Sequence, residues 1–290
     1  MVRKSIWVPA LAAVVGIAVL ARRSNHPRTF ANDWPVNFAH RGSSARMPEN
    51  TMEAFRAAIK DGAGGIETDA HMTRDGHVVL IHDDTVDRTT DGTGAVREMS
   101  LDELQTLDSG CWFVDETGVS HRGRGAWVPT LREVYEEFPG VPINIEIKER
   151  VPGLEEAVLG EILLAGAEER TLIASSRHGV VERFRRISAS RIPTAASRWE
   201  IEVFIALHAL RLTWLLRPSY IALQVPVEHR GIRIVTPRFI EAAHRLGVRV
   251  DVWTIDQPDE MRWLLGLGVD VVMTKRPAVL AEVIRDRMAR

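Results

Sequence analysis

The stretch Val248–Thr274, VRVDVWTIDQPDEMRWLLGLGVDVVMT, contains two short apolar runs separated by a helical period. The first run alternates valine with other residues, and the central part carries apolar residues at intervals of three and four. A strand–helix–strand unit of this kind is typical of a parallel sheet, because parallel neighbours need a crossover connection. This stretch therefore predicts an α/β protein.

The same alternation extends over most of the chain. The predicted strands are Val36–His40, Gly65–Asp69, Ile143–Lys148, Leu172–Ser175, Ile192–Ala196, Tyr220–Val225, Val248–Thr254 and Val269–Thr274. The predicted helices are Thr51–Asp61, Leu131–Phe138, Leu154–Ala167, Val180–Ile187, Glu202–Leu215, Pro237–Leu246 and Pro258–Leu265. Eight strands are enough to close a barrel of about 250 residues. We therefore predict one TIM-type (β/α)8 barrel domain over residues 31–290.

One apolar run, Val78–His82, has no helix before it. Only residues 74–77 (RDGH) separate it from the second strand, which is too short for a parallel crossover. The run therefore predicts a β-hairpin extension after strand 2. A turn centred on Asp75-Gly76 would place Asp69 opposite His82.

The first thirty residues form a separate segment, which we predict to be a membrane anchor or a signal segment. Ile6–Ala21 contains no charged residue, and as a helix it would span about 24 Å against a hydrocarbon core of about 30 Å. Arg22 and Arg23 follow directly, which favours a retained N-terminal anchor and a membrane-associated protein. The alternative is secretion after cleavage of a signal behind Val19-Leu20-Ala21.

Charge and cysteine content exclude three features: a nucleic acid partner, a disulfide framework and a cysteine-rich zinc site. The formal net charge is −2, and residues 1–30 carry only cations, so the barrel domain is mildly acidic. Such a domain has no electrostatic footprint for a nucleic acid partner. Cys111 is the only cysteine, which excludes an intrachain disulfide framework and a cysteine-rich zinc site.

The carboxyl ends of barrel strands converge on one pocket, so polar residues there are candidate site residues. The ends of the predicted strands carry His40, Arg41, Glu67, Asp69, Glu146, Lys148, Ser175 and Trp253. Clustered carboxylates either raise a pKa or hold a cation, and oxygen-only ligands select a hard ion. We therefore predict one divalent cation, Mg²⁺ or Ca²⁺, at Glu67, Asp69 and Glu146. The alternative, solvated strand edges, fits poorly with their apolar neighbours.

Two histidines and two cations complete this pattern. His40 and His82 are candidates for general base and general acid, since imidazole titrates near operating pH, although buried structural histidines are the alternative. Arg41 and Lys148 are fixed cations that suit an anionic, phosphate-bearing substrate, or else they are structural partners of the neighbouring acids.

These residues lie within motifs that resemble the glycerophosphodiester phosphodiesterase family. The motifs are AHRGSSARMPENTMEAF (Ala39–Phe55), GIETDAHMTRDGHVVLIHDDTVDRTTDGTG (Gly65–Gly94), PTLREV (Pro129–Val134), NIEIK (Asn144–Lys148), VDVWTID (Val250–Asp256) and VDVVMTKRP (Val269–Pro277). They keep the family's order over nearly the whole barrel domain. The resemblance implies the phospholipase-C-like β/α barrel and a divalent cation.

The resemblance also implies a role for each site residue. It places metal ligands at Glu67, Asp69 and Glu146, acid/base histidines at His40 and His82, phosphate-contacting cations at Arg41 and Lys148, and a residue lining the alcohol side of the pocket at Trp253. Glu49 either supports the metal site or is purely structural. Asn50, followed three residues later by Glu53, predicts a helix N-cap and a capping pair.

The implied activity is metal-dependent hydrolysis of glycerophosphodiesters such as glycerophosphocholine and glycerophosphoethanolamine. The substrate's glycerol 2-hydroxyl would attack phosphorus, and water would open the resulting cyclic phosphate while the two histidines exchange roles. Release of the cyclic product, as in the sphingomyelinase-D-like toxins that share this barrel, is an open alternative outcome.

Two other functions remain open. Membrane-bound members of the family that act as lysophospholipase D resemble this chain, and such an enzyme would form lysophosphatidic acid or its cyclic form. Glu202–Leu216, with Trp112, Phe113 and Trp127, would then hold acyl chains or touch lipid, whereas Glu202–Leu216 is otherwise an ordinary outer helix. The last alternative is a non-catalytic lipid-binding barrel.

Overall fold

The computed structural model of the protein describes residues 36–148 and 151–289. The predicted anchor or signal segment, residues 1–30, lies outside the described residues. Within the described ranges, no helix has the length and apolar character needed to cross a membrane.

The core of the fold is a parallel sheet with helices packed around it. The strands are β1 (Asn37–His40), β2 (Gly65–Met72), β3 (Val78–Leu80), β4 (Ile143–Ile147), β5 (Thr171–Ala174), β6 (Ala222–Val225), β7 (Glu228–His229), β8 (Ile232–Arg233), β9 (Arg249–Val252) and β10 (Val271–Thr274). Their order in the main sheet is β5-β4-β2-β1-β10-β9-β6, with β3 attached to β2. The strands of this order are parallel to their neighbours, as predicted for a TIM-type arrangement, whereas β3 is antiparallel to β2, and β7 and β8 form a separate antiparallel pair.

The predicted strand Ile192–Ala196 closes the sheet into a barrel, but it forms only two parallel bridges. Thr194 pairs with Ile173 of β5, and Ala195 pairs with Ala222 of β6. Pro193 has no N–H to donate, which shortens the ladder at this position. This closing segment, the seam of the barrel, therefore pairs with its neighbours at fewer positions than the sequence predicts.

Helices surround the sheet, and their starts follow local capping chemistry. They are α1 (Met52–Lys60), α2 (Leu101–Gln105), α3 (Leu131–Glu137), α4 (Leu154–Leu164), α5 (His178–Ile187), α6 (Arg198–Ala209), α7 (Pro237–His244), α8 (Pro258–Leu267) and α9 (Pro277–Met288).

The predicted bounds Glu202–Leu215 are wrong for α6. Ser197 and Glu200 form a capping box that starts this helix earlier, and Arg211 adopts a left-handed φ of 61° just beyond its end.

The predicted hairpin is present, but its register differs by one residue from the prediction. β2 and β3 pair antiparallel with Ala70 opposite Leu80, so Asp69 faces Ile81 and not His82. The loop has three residues, because Thr73 N donates to His77 O at 3.0 Å and Gly76 takes a left-handed φ of 88°. A three-residue loop that ends in a left-handed glycine is a common hairpin form.

The barrel interior is small and partly polar. A Cβ at Gly65 would lie 2.3 Å from the ring of Phe38, so only glycine allows this ring to fill the interior beside β2. On β9, Arg249 Nη2 donates to Asp251 Oδ2 at 2.8 Å, and both residues are buried. Larger apolar clusters lie between the sheet and the outer helices.

Candidate active site

Three carboxylates meet at the carboxyl ends of β2 and β4. The parallel register of these strands places Asp69 beside Glu146. Glu67 lies on the same face as Asp69, because side chains of a strand repeat every second residue. One carboxylate oxygen from each residue lies within 4.8 Å of the other two. The structure therefore brings the predicted ligand set together in one place.

Burial and neighbouring charge make these carboxylates unequal. Glu67 is 4% exposed and Asp69 is 1% exposed. Burial raises the pKa of Glu67 well above its usual range, and the charges of Asp69 and Glu146 raise it further. Burial also acts to raise the pKa of Asp69, but the cations Lys148 and Arg41 outweigh it and lower that pKa. Oε2 of Glu67 is buried and accepts no hydrogen bond.

The two predicted phosphate-contacting cations bracket Asp69. Lys148 Nζ lies 3.0 Å from Asp69 Oδ1 and 2.5 Å from Glu146 Oε2, while Arg41 Nε lies 3.1 Å from Asp69 Oδ2. Burial acts to lower the pKa of Lys148, but Asp69 and Glu146 more than compensate, so this pKa is raised. Lys148 therefore stays charged, and both side chains are partly accessible at the barrel mouth.

His40 ends β1 and faces the carboxylates. Its Nε2 lies 3.8 Å from Glu67 Oε2, and its Nδ1 is buried without a hydrogen-bond partner. Burial, reinforced by the neighbouring Arg41 cation, lowers the pKa of His40 to about 3. The ring is therefore neutral near pH 7 and has a nitrogen free to accept a proton.

His82 follows β3 and is held by a chain of charged side chains. Its Nδ1 lies 2.6 Å from Asp83 Oδ1, and Arg88 Nε donates to Asp83 Oδ2 at 2.5 Å. Arg88 Nη2 and Arg41 Nη1 both donate to Glu49 Oε1, at 2.7 and 3.0 Å. Because a carboxylate only accepts, His82 Nδ1 carries the proton of this contact, and Nε2 is left for exchange.

This chain explains Glu49 and adds two residues that the sequence analysis missed. Glu49 links Arg41, which lies beside the carboxylates, to Arg88. Arg88 in turn contacts Asp83, which holds His82. The pKa of Glu49 is lowered, because Arg88 and Arg41 outweigh the effect of burial. In the sequence, the only local indication of this series of charged side chains is Asp83, which directly follows His82. The pKa of Asp83 falls to about 2, because Arg88 and His82 overcome burial.

Asn50 does not cap α1, contrary to the prediction. Thr51 is the N-cap and accepts from Ala54 N, while Asn50 adopts a left-handed φ of 55°. Asn50 Nδ2 donates to Asp69 Oδ2 at 2.9 Å, and Asn50 Oδ1 accepts from Thr68 Oγ1 at 2.8 Å. The amide therefore fixes the orientation of a predicted metal ligand, which is a role that the capping pattern conceals.

Comparison with known proteins identifies the family. Residues 40–279 match the model of the glycerophosphoryl diester phosphodiesterase family. The chain belongs to this family. It is 34% identical over 254 residues to a glycerophosphodiester phosphodiesterase of Caldanaerobacter subterraneus subsp. tengcongensis, with 85% of this chain and 96% of the relative covered. A Bacillus altitudinis enzyme of the same name is 32% identical over 261 residues, with 87% and 98% covered.

Solved structures of the family share the fold. A glycerophosphodiester phosphodiesterase from Agrobacterium tumefaciens has 27% identity and a TM-score of 0.67, with 84% of this chain and 98% of that chain covered. A phosphodiesterase from Oleispira antarctica, solved in complex with the product sn-glycerol-3-phosphate, has 25% identity and a TM-score of 0.68, with 87% and 97% covered. Membership of this enzyme family confirms the predicted enzyme class, so the non-catalytic barrel is not retained.

The apolar segments that were predicted to touch lipid are only partly exposed. Within Glu202–Leu216, Val203, Phe204 and Leu207 are buried in the core, as in an ordinary outer helix. Trp127 packs against the core, whereas Trp112 is 60% exposed. Trp253, by contrast, lines a cavity together with Glu146 of the carboxylate cluster.

Proposed function

We propose that this family member hydrolyses glycerophosphodiesters to an alcohol and glycerol phosphate with one bound divalent cation and two histidines. The observation that carries the proposal is the buried Glu67 Oε2, which accepts no hydrogen bond although Asp69 and Glu146 converge on the same point. A buried carboxylate oxygen without a donor is costly unless a cation occupies the space it faces. The donor set consists of oxygen alone, which fits Mg²⁺ or Ca²⁺.

Glu67, Asp69 and Glu146 would hold the ion, and Asn50 would keep Asp69 in position. When bound, the divalent cation offsets the charge of the phosphodiester and of its transition state. Arg41 and Lys148 would add fixed positive charge beside the same phosphate. These two cations also lower the pKa of Asp69, so this one ligand stays ionised before substrate arrives.

The two histidines would divide the proton transfers. His40, which is neutral because burial lowers its pKa, would take the proton from the nucleophile, the substrate's 2-hydroxyl. His82, whose ring is fixed by Asp83, would protonate the departing alcohol through Nε2. The histidines would exchange these roles when water opens the cyclic phosphate.

Choline release from glycerophosphocholine tests the metal and the histidines. EDTA should abolish turnover, and Mg²⁺ or Ca²⁺ should restore it. Titration with each ion identifies the one that restores activity at the lower concentration. His40→Ala and His82→Ala should each lower kcat by about 10²–10⁴-fold. His77→Ala, an exposed hairpin histidine (52%), is the matched control and should keep full activity. Turnover that resists EDTA, or a near-normal His40→Ala enzyme, would refute the corresponding assignment.

We also propose that the N-terminal segment anchors the enzyme to a membrane. The proposal rests on the uncharged run Ile6–Ala21 and on the arginines that follow it. The full-length chain should sediment with membranes and resist carbonate extraction. A mature soluble product whose N-terminus begins after Ala21 would instead establish a cleaved signal.

A further inference from the structure

One buried histidine at the barrel mouth takes no part in the proposed proton transfers. His71 lies on β2, two residues after Asp69, so the two side chains share one face of the strand. The residue is 1% exposed. A polar ring is costly to bury unless it makes hydrogen bonds, so the contacts of His71 indicate what the ring does in this position.

The ring of His71 reaches the backbone of the second proposed catalytic histidine. Its Nε2 lies 3.2 Å from the carbonyl oxygen of His82, eleven residues further along the chain. A carbonyl oxygen only accepts, so His71 Nε2 carries a proton and donates the hydrogen bond. The contact therefore joins the strand that carries Glu67 and Asp69 to the residue that would protonate the departing alcohol.

His82 lies where the backbone pairing of the hairpin has ended. The strand β3 ends at Leu80, and one further backbone hydrogen bond joins Ile81 N to Asp69 O at 3.0 Å. His82 follows outside the strand, so the regular ladder no longer determines the path of its backbone. The side chain of His71 extends from β2 and holds the chain at this point.

The backbone contact of His82 differs in exposure from its side-chain contact. Asp83, which holds the ring of His82 through Nδ1, is 28% exposed, whereas His71 is almost fully buried. Solvent weakens a charged contact at the surface, but it has little access to a buried hydrogen bond. A displacement of about 1 Å can impair a proton donor, so both points of attachment bear on the reaction.

We propose that His71 is a positioning residue that sets the place of His82 through its backbone carbonyl. The proposal rests on the proposed function, in which the P–O bond to the headgroup breaks and the alcohol oxygen takes the proton of His82 Nε2. His71 transfers no proton itself and acts only through His82. Loss of its N–H donor should therefore slow the protonation of the leaving group and not the reaction as a whole.

The test uses two variants of similar size and two leaving groups. His71→Gln keeps an N–H donor near the position of Nε2, whereas His71→Met has a side chain of similar length without a donor. The substrates are glycerophosphocholine, whose alcohol must be protonated as it departs, and p-nitrophenyl glycerophosphate, whose phenol departs without a proton. The rate of alcohol release is measured in single-turnover experiments, so later steps do not contribute.

His71→Met should lower the rate of choline release by about three- to tenfold and leave p-nitrophenol release within about twofold of the wild type. His71→Gln should restore choline release to within about twofold. His121→Met is the matched control, because His121 is also buried (7% exposed) but lies in the segment between β3 and α3. It should leave both rates within about twofold, even if urea unfolding shows a less stable protein.

Three results would overturn the proposal: an equal loss on both substrates in His71→Met, no loss on either, or a His71→Gln enzyme as slow as His71→Met. If urea unfolding shows that His71→Met is not folded, His71→Asn takes its place, because its amide is one methylene too short to reach the same carbonyl.

His82→Ala separates this proposal from the proposed function. It should lower choline release far more than p-nitrophenol release. If it lowers both equally, the assignment of His82 as general acid is wrong, and the role of His71 is overturned with it. If His82→Ala shows the difference between leaving groups and His71→Met does not, only the positioning role of His71 is overturned.

Discussion

The contact between His82 and Asp83 gives the sharpest quantitative prediction. Asp83→Asn keeps the size of the side chain but removes the charge that fixes His82 Nδ1 at 2.6 Å. A hydrogen bond to a charged group contributes about 1.5–3 kcal/mol. The two side chains are 32% and 28% exposed, so solvent screening reduces this to about 1–2 kcal/mol. At about 1.4 kcal/mol for each factor of ten, kcat should fall roughly five- to thirtyfold.

The assay is steady-state choline release from glycerophosphocholine, with kcat and KM determined separately. The loss should appear in kcat, because Asp83 positions the histidine and does not contact the substrate in the proposed mechanism. Asp84→Asn is the matched control, since Asp84 is the adjacent exposed acid and undergoes the same change of charge. If Asp83→Asn and Asp84→Asn have the same kcat, the chain from Glu49 through Arg88 does not position His82.

Two further predictions concern stability and are measured by urea unfolding. Gly42→Ala should cost about 2–4 kcal/mol, because φ is 82° and the new Cβ would lie 2.6 Å from the backbone carbon of Ala54; Gly118→Ala, with φ of 83° but open space, should cost only about 1 kcal/mol. Equal costs would contradict the contribution of the backbone contact. Glu200→Ala removes the carboxylate partner of the buried Arg185 and should lower the free energy of unfolding by about 3–5 kcal/mol. Glu202→Ala is the control, because Glu202 is 62% exposed, and it should cost about 0.5 kcal/mol or less. A small loss of stability in Glu200→Ala would show that water hydrates Arg185 in place of the carboxylate.

The barrel and most of its site residues can be predicted from the sequence because both depend on regular patterns. Alternating strands and helices specify the parallel sheet, and the carboxyl ends of its strands bring Glu67, Asp69 and Glu146 to one mouth. Where the pattern is interrupted, the prediction is less accurate. Pro193 reduces the predicted fifth strand to two bridges, and a left-handed Gly76 shifts the hairpin by one residue.

The series of charged side chains that holds His82 is harder to predict from the sequence. Arg88 and Glu49 come from separate loops, and no periodicity connects them. Asn50 shows a related difficulty, because a residue that suits a helix cap can use the same amide to bind a neighbouring carboxylate. Contacts between loops depend on the finished fold, so spacing along the chain does not reveal them.

The narrow seam at Thr194 and Ala195 makes one part of the barrel wall easier to open than the rest. Only two backbone hydrogen bonds join it to each neighbouring strand, whereas β2 and β4 pair over five consecutive positions. Local opening requires less free energy where fewer such bonds must break, so amide protons here should exchange with solvent sooner than those of β2. Ala196 lies directly after this seam and also lines the cavity beside Glu146, so local opening here would alter the cavity wall before it reached the five-position pairing of β2 and β4 that carries the carboxylates.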